Sequence, residues 1–359
     1  MEKSILVTDL EKFKKENVIH EVIDQYEVLL DELFHVRNPW TKIKKDFGTE
    51  YKIFVSEHLD GRPISQAGSW FYFPWNKYLV HYLPDDLHQE IRSARNRELI
   101  SREDQSKLYN TTIAACGLSV GSHGVFILAM MGIARHIKLA DPDFISASNL
   151  NRLNFDFTKI SKNKAQVIAE HIYQVNPYAI IEVYSNGVTV ENVEEFLNGV
   201  DILVEEMDSL PVKIMIREKA RIKGIPVLMA TDNGTGAILD VERFDQDKNR
   251  PLFHGLVEIT KEFLSPEMRS TNPAEWNKIA NKIIGVEFME KDLLDSLPKI
   301  GQSISGVPQL GAAAAMSGSL LATCVLKIVR GEPVVSGKYI FSVTNILAQG
   351  PVNTHKSHD

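Results

Sequence analysis

Cysteine is scarce. The 359 residues hold two, Cys116 and Cys324, far apart and in no C-x-x-C pair, so no disulfide framework is expected and a four-cysteine zinc site is excluded. A basic surplus is missing too. Lys and Arg number 40 against 47 Asp and Glu, a formal net charge of −7, whereas nucleic acid and anionic membranes reward the opposite sign. No apolar run approaches the roughly 20 residues that a membrane helix needs. The opening stretch MEKSILVTDLEKFKKENVIH has no apolar core followed by a small-residue cleavage site. The expectation is a cytoplasmic protein with no DNA or membrane partner. Its length suits two domains, or one large α/β domain with additions.

Residues 9–35 carry apolar side chains at helical spacing, among them Leu10, Phe13, Val22, Tyr26, Leu29 and Leu33. GSWFYFPWNKYLVHYL (68–83) is aromatic and β-like, with Pro74 interrupting it, and PDDLHQEIRSARNREL (84–99) opens as a helix does. Residues 1–108 thus read as an N-terminal helical and β extension whose last helix carries Arg97. From 111 the pattern changes. Short apolar strands at 111–116, 136–140, 179–184, 201–206 and 225–230 alternate with helical segments at 162–175, 190–197 and 211–224. Such alternation predicts βαβ units and a Rossmann-like, doubly wound α/β fold, a mostly parallel sheet with helices on both faces. Residues 232–305 are less regular. Residues 306–333 read as a small-residue helix, and KYIFSV (338–343) as a final strand. The main domain is therefore placed at 109–345, with 346–359 as a tail whose end, NTHKSHD, is expected to be disordered.

Ligands in such sheets sit outside the carboxyl ends of the strands, which puts Gly117, Asp141 and the loop after 206 on one edge. The turn CGLSVGSHG has glycines at 117, 121 and 124. A tight turn from strand to helix points free N–H groups at an anion, with the helix dipole behind them; it can equally serve packing alone. Asp141 follows Gly117 by 24 residues, where nucleotide-binding βαβ units place a carboxylate on the ribose hydroxyls. NAD and ATP both fit at this stage. Asn149, Arg152 and Lys164 would add an amide and two cations to that edge, and a triphosphate cleaved at its α-phosphorus needs such charge. Asp208 can hold Mg²⁺ or cap the helix that follows. Lys164 can equally be a solvated lysine. His123 could touch a phosphate or simply start a helix, and Arg250 and His254 of RPLFHG are candidates for binding substrate.

DPDFISASNLNRLNF, KNKAQ, NPYAIIEVY and DILVEEMDS, in that order, resemble the ThiF/MoeB adenylating superfamily, to which the ubiquitin-activating enzymes belong. The resemblance runs from about 93 to 245, with a weaker match near 306–332. GLSVGS, NRELI, PVLMATD, LDVERFD and RPLFHG further resemble its MoeY-like subgroup. The resemblance implies an ATP-dependent adenylyltransferase that activates a substrate carboxylate as an acyl-adenylate and releases pyrophosphate. It implies that Gly117, Leu118, Ser119 and Gly121 form the nucleotide turn, and that Asp141 holds the ribose. Asp143 and Asn149 would help to hold the nucleotide, Arg152 and Lys164 its phosphates, and Asp208 Mg²⁺. Arg97 would reach the γ-phosphate from the partner subunit of a homodimer. The substrate would be the C-terminus of a small ubiquitin-like carrier protein or a small molecule. The chain departs from the pattern at Ser119, Val120 and Ser122, which replace glycines of the usual turn, and at Leu153, which replaces a frequent glutamine. The family's zinc C-x-x-C pairs and crossover-loop cysteine have no counterpart, so neither zinc nor a thioester step is expected. Two other readings stay open on the residues: an NAD(P)-binding oxidoreductase, and a binding protein that keeps the fold without catalysis.

Overall fold

A computed structural model describes residues 3–44, 46–257 and 273–350, with side chains from 278 onward in the last span. The chain divides into two units. One comprises the residues up to Asn110 with Ala129–Arg135 and Ala169–Ile180; the other comprises Thr111–Leu128, His136–Ile168 and the chain from Ile181.

The first unit contains β1 (Ile5–Val7), α1 (Leu10–Glu16), β2 (Glu21–Asp24), α2 (Tyr26–Arg37), α3 (Gly48–Leu59), β3 (Ser69–Phe73), β4 (Tyr78–Tyr82), α4 (Asp85–Arg92) and α5 (Arg102–Tyr109). The helix expected across 9–35 is two helices with a strand between them. Val22 and Ile23, which completed the helical pattern, lie in β2 and pair in parallel with Leu79 and Val80 of β4. Two β-branched residues in a row favour that extended partner over a helix. Pro74 stands at the turn of the β3–β4 hairpin, and the four strands run β1-β3-β4-β2. Buried His81 is stacked between Trp70 (centroids 4.2 Å apart) and Tyr26 (4.3 Å), with its ring nitrogens on Asp24 (2.9 Å) and the Ala67 carbonyl (2.6 Å). Arg97 is not carried by a helix. It follows α4 and a short 3-10 turn in an extended conformation, φ −53 and ψ 144.

The chain from Thr111 continues with β5 (Thr112–Cys116), α6 (Gly121–Met130), β6 (His136–Ala140), α7 (Lys164–Val175), β7 (Ile180–Tyr184), α8 (Val193–Phe196), β8 (Ile202–Glu205), α9 (Leu210–Lys223) and β9 (Val227–Asn233), all in the second unit save Ala129–Met130 of α6, Ala169–Val175 of α7 and Ile180. Then come β10 (Gly236–Glu242), α10 (Pro273–Ile284), α11 (Lys291–Ser296), α12 (Gly311–Val329), β11 (Gly337–Phe341) and α13 (Val343–Ala348). Seven strands form one largely parallel sheet in the order β11-β10-β9-β8-β5-β6-β7. β5 pairs in parallel with β6 and β8, and β8 with β9; β10 and β11 are added antiparallel at the edge. This is the expected mixed α/β sheet. The stretch past 232 is more regular than the sequence suggested, because the two-residue loop Gly234-Thr235 turns β9 straight back into β10, with Asn233 paired to Gly236. Glycine at the first position of such a loop suits a hairpin turn, and Gly234 takes φ +63. The end of the KYIFSV segment opens α13, where Ser342 accepts the N–H of Asn345 as a cap.

The expectation that no apolar run approaches membrane-helix length also needs correction: α12 has 19 residues and is long and apolar enough to cross a membrane. Its Ala313, Ala314, Ser317, Gly318, Leu321, Ala322, Cys324 and Val325 are buried, and it packs on β9 and β10. Small residues at that spacing let a helix lie close to a sheet, so the composition is that of a core helix. The NTHKSHD tail lies outside the described residues.

Candidate active site

From β7 the chain returns to β8 on the far side of β5, so the strand order reverses between β5 and β8. A crevice opens at such a switch point, outside the carboxyl ends of the two strands. The next residues, Gly117 and Glu206, meet there. Gly117 takes φ +81, and a Cβ on it would lie 2.4 Å from the Glu206 carbonyl carbon, so both its conformation and its neighbour demand glycine. Leu118 donates its N–H to Asp141 Oδ2 (2.5 Å), and Asp143 donates its N–H to Asp141 Oδ1 (2.7 Å). Asp141 is 3% exposed. Burial pushes its carboxyl up, against the pull of Lys164 and the two N–H groups.

The rest of the turn serves packing as well as opening. Ser122 donates its hydroxyl to the Ser119 carbonyl (2.7 Å). Val120 is buried, so its bulk goes into the core. Gly121 begins α6 against Glu206, whose Cγ would be 3.1 Å from a Cβ there. Gly124 and Gly318 let α6 and α12 approach: a Cβ on Gly318 would come within 2.6 Å of the His123 carbonyl carbon.

The segment between Asp141 and Lys164 forms the adjoining wall. Asn163 donates its amide to the carbonyls of Asp141 (2.8 Å) and Asp143 (3.2 Å). Lys164 is no solvated lysine: it is 6% exposed and its Nζ lies 3.0 Å from the Asp143 carboxylate. Asn149 is occupied within its own turn, where its Oδ1 accepts the Ser146 N–H (3.0 Å) in a capping box. Arg152 closes that turn, and His123 donates from Nε2 to its carbonyl. Among the described residues, the Arg152 guanidinium donates only to neutral oxygens, Ser148 O (3.3 Å) and Asn151 Oδ1 (3.0 Å), and its Nε is buried without a hydrogen-bond partner.

Arg152 looks into a cavity of about 830 Å³, within the range of small-molecule sites. Asp208, Glu206, Lys213, Asp232 and Gln309 share its polar wall, while Ile283, Leu293 and Leu310 are among its apolar lining. Burial lowers the Arg152 pKa, and the charges of Asp232 and Asp208 raise it. Asp208 is exposed and does not cap α9, whose N-cap is Ser209. An exposed carboxylate on the wall of this cavity suits Mg²⁺, which binds through one or two carboxylates plus substrate phosphates. Among the described residues no group of three or more His, Cys, Asp or Glu could hold a metal by itself.

The predicted residues thus fall in two adjoining groups. Gly117, Leu118, Ser119, Gly121, Asp141, Asp143 and Lys164 surround the turn; Arg152 and Asp208 line the cavity. Glu206 joins them, touching the turn on one side and the cavity on the other. Its carboxylate accepts the Ala230 N–H, and burial pushes that carboxyl well above the usual range. The sequence reading missed Glu206 and Asp232, although EEMD and TDN, acids at the ends of neighbouring strands, were a usable signal. Arg97 belongs to the first unit, where it donates to the Val36 carbonyl (3.1 Å) and Glu90 (3.0 Å). His254 and Arg250 are drawn elsewhere: His254 lies 3.2 Å from buried Asp240, with Arg250 3.0 Å from its other nitrogen. Cys116 and Cys324 are buried, and burial pushes their thiols up, that of Cys324 to about 11. Neither is a ready thiolate.

Known proteins give this geometry a family. The Mycobacterium tuberculosis protein MT1398, itself uncharacterized, is 34% identical over 286 residues, 79% of this chain and 39% of its own. The Bacillus subtilis tRNA threonylcarbamoyladenosine dehydratase is 28% identical over 170 residues, 45% of this chain and 65% of its own. The chain therefore spans less than two thirds of either relative. Among solved structures, the Escherichia coli tRNA N6-threonylcarbamoyladenosine dehydratase in complex with AMP has a TM-score of 0.49 and 20% identity, over 70% of this chain and 97% of its own. A ThiF family profile matches residues 93–356, well over half of the sequence, and the protein belongs to the ThiF family.

Proposed function

We propose that the protein is an ATP-dependent adenylyltransferase that activates a substrate carboxylate. The observation that carries this reading is the Arg152 guanidinium, which lines the same cavity as Asp208 and whose buried Nε has no hydrogen-bond partner among the described residues. A buried donor without an acceptor is costly, and one at a cavity wall gains its partner when an anion arrives. Family membership favours ATP as that anion, and a sulfur carrier protein adenylyltransferase of Thermus thermophilus, 26% identical over 44% of this chain, is among the relatives.

In this reading the adenine nucleotide lies along the Gly117 turn. Asp141 meets the ribose hydroxyls with the lone pairs that its two backbone donors leave, and Asn149 and Asp143 shape the loop beside it. Lys164 is shared between Asp143 and the phosphates. Arg152 neutralises the α-phosphoryl group as charge spreads over the phosphates. Asp208 would hold Mg²⁺, which supplies further neutralisation of the phosphate charge when bound. A substrate carboxylate oxygen attacks the α-phosphorus in line. The new bond joins carboxyl oxygen to phosphorus, the bond to the bridging oxygen of the β-phosphate breaks, and pyrophosphate leaves with that electron pair. A carboxylate is already ionised at neutral pH, so positioning suffices and no general base is needed. Arg97 completes the site from a second subunit of a homodimer once it leaves Glu90. The carboxylate belongs to the C-terminus of a carrier protein or to a small molecule.

The test is exchange of labelled pyrophosphate into ATP with candidate carboxylates. Arg152→Ala and Asp208→Ala are each expected to lower exchange by roughly a hundredfold or more in a protein that still folds. Exchange that survives both changes contradicts the assignment.

A further inference from the structure

The cavity extends past Arg152 and Asp208 to a second polar group, and its chemistry is of the opposite kind. Asp232, near the end of β9, has one carboxylate oxygen, Oδ1, that accepts from Gln309 Nε2 at 3.2 Å. Its other oxygen, Oδ2, is buried with no hydrogen-bond partner among the described residues. Burial pushes the Asp232 carboxyl up; the Gln309 hydrogen bond and the charge of Arg152 oppose that shift, and Asp208 adds to it. Asp232 and Gln309 come from β9 and from the loop before α12, so two separate elements build this wall. Met229, Ile283, Met289 and Leu293 contribute apolar surface to the same cavity, beside its polar groups. A buried acceptor without a partner, on a residue that lines a cavity, gains from a donor brought there. A ligand with no donor leaves that acceptor unpaired and loses affinity for it.

We infer that Asp232 is the specificity-determining residue of the substrate pocket, and that it receives an N–H or ammonium group carried next to the carboxylate that is activated. This rests on the adenylation reading and narrows it. Arg152 and Asp208 mark the nucleotide end, Asp232 reads a nitrogen, and the apolar wall takes a compact aliphatic side chain. The substrate class is thus a carboxylate with nitrogen on its neighbouring carbon. A free α-amino acid supplies that nitrogen as an ammonium, a peptide terminus as an amide.

Pyrophosphate–ATP exchange with matched probes separates these cases. The probes are apolar amino acids, their N-glycyl dipeptides and the same acids without nitrogen, with leucine, glycylleucine and 4-methylpentanoate as the first set. At least one nitrogen-bearing arm should be favoured in kcat/KM over its nitrogen-free partner by roughly tenfold to a hundredfold, the worth of a hydrogen bond to a charged group. Leucine ahead of glycylleucine indicates a free amino acid, and the reverse a peptide terminus; either order supports the role of Asp232. Asp232→Ala should erase the preference chiefly through KM, and Asp232→Asn should keep part of it for the amide arm, since a neutral acceptor still serves an amide N–H. ATP heat titration of each variant verifies that the nucleotide end is folded. Equal exchange with nitrogen-free acids overturns the inference alone, as does a preference that survives Asp232→Ala. ATP binding with no exchange from any probe overturns it too. No ATP binding by the wild-type chain overturns the adenylation reading, and this one with it.

Discussion

Two clusters of charge lie in the same unit, and they are built on opposite terms. Beneath the sheet edge, Glu205, Asp240 and Glu242 face Lys213, Arg217 and Lys338, three carboxylates against three cations. Arg217 lies 2.8 Å from both Glu205 and Glu242, Lys213 2.8 Å from Glu205, and Lys338 2.9 Å from Asp240. Arg217 also sits 4.7 Å from the centre of the Phe253 ring. Against the effect of burial, a hydrogen bond from His254 and the charges of Arg217 and Lys338 hold the Asp240 carboxyl well below the ordinary range. At the cavity, by contrast, the hydrogen bonds of Arg152 among the described residues go to neutral oxygens, with the charges of Asp232 and Asp208 acting from beyond hydrogen-bond distance, and one oxygen of Asp232 has no hydrogen-bond partner among them. Charge that is matched inside the protein holds β8, α9, β10 and β11 together. Charge that is left open is available to a ligand. Removing a member of the first cluster should therefore cost stability, and removing a member of the second should cost function.

The largest expected effect is on the matched cluster. Arg217→Met leaves Glu205 and Glu242 buried with less compensation, and should lower the unfolding free energy by about 3–5 kcal/mol in chemical denaturation. A change under about 1 kcal/mol would mean that the network is not what holds these strands. Next comes Arg152→Ala, expected to lower the exchange rate by roughly a hundredfold to a thousandfold while the denaturation midpoint stays put. A large loss of stability there would erase the contrast. Third, Asp208→Asn should weaken the response of exchange to Mg²⁺, read as a shift of the magnesium titration to higher concentration; an unchanged titration removes Asp208 from the metal. The smallest effect concerns Glu206, which stands between the clusters. Its folded pKa is raised, so below about pH 4.5 both the folded and unfolded chains carry the proton and no stability is at stake. As pH rises from there, the unfolded chain ionises first and stability drains away toward the raised folded value. Glu206→Gln keeps an acceptor for the Ala230 N–H and removes the titration. Its Tm should match the wild type below about pH 4.5 and exceed it increasingly as pH rises from there. A Tm gap that does not change with pH contradicts the upward shift of this carboxyl.

Much of the second unit could be read from sequence because a parallel sheet buried on both faces writes itself as short apolar runs between helices. Gly117, Asp141 and Asp208 could be placed at the sheet edge because each follows an apolar strand run, while Arg152 was picked out by the SNLNR segment. The first unit was harder to read. Val22 and Ile23 fit a helical period as well as a strand, and only the partner residues 79 and 80 decide between them. Arg97 sat beside a helical pattern that ended earlier than its polar spacing implied. The pairing of Lys164 with Asp143, and of Asn149 with the Ser146 N–H, could not be foreseen, since a side chain's partner depends on loop geometry rather than on spacing. The same holds for Asp232. TDN at a strand end marks an acid at the site edge, but only packing shows that one of its oxygens is open.

The central claim is that the open guanidinium of Arg152 is a phosphate site for ATP. The most direct measurement is calorimetric titration of the whole chain with ATP and, separately, with NAD, each with Mg²⁺, in the wild type and in Arg152→Ala. The account predicts saturable ATP binding by the wild type, no comparable binding of NAD, and loss of the ATP signal in the variant. Tight NAD binding without ATP binding, or an ATP isotherm indifferent to Arg152→Ala, would contradict it.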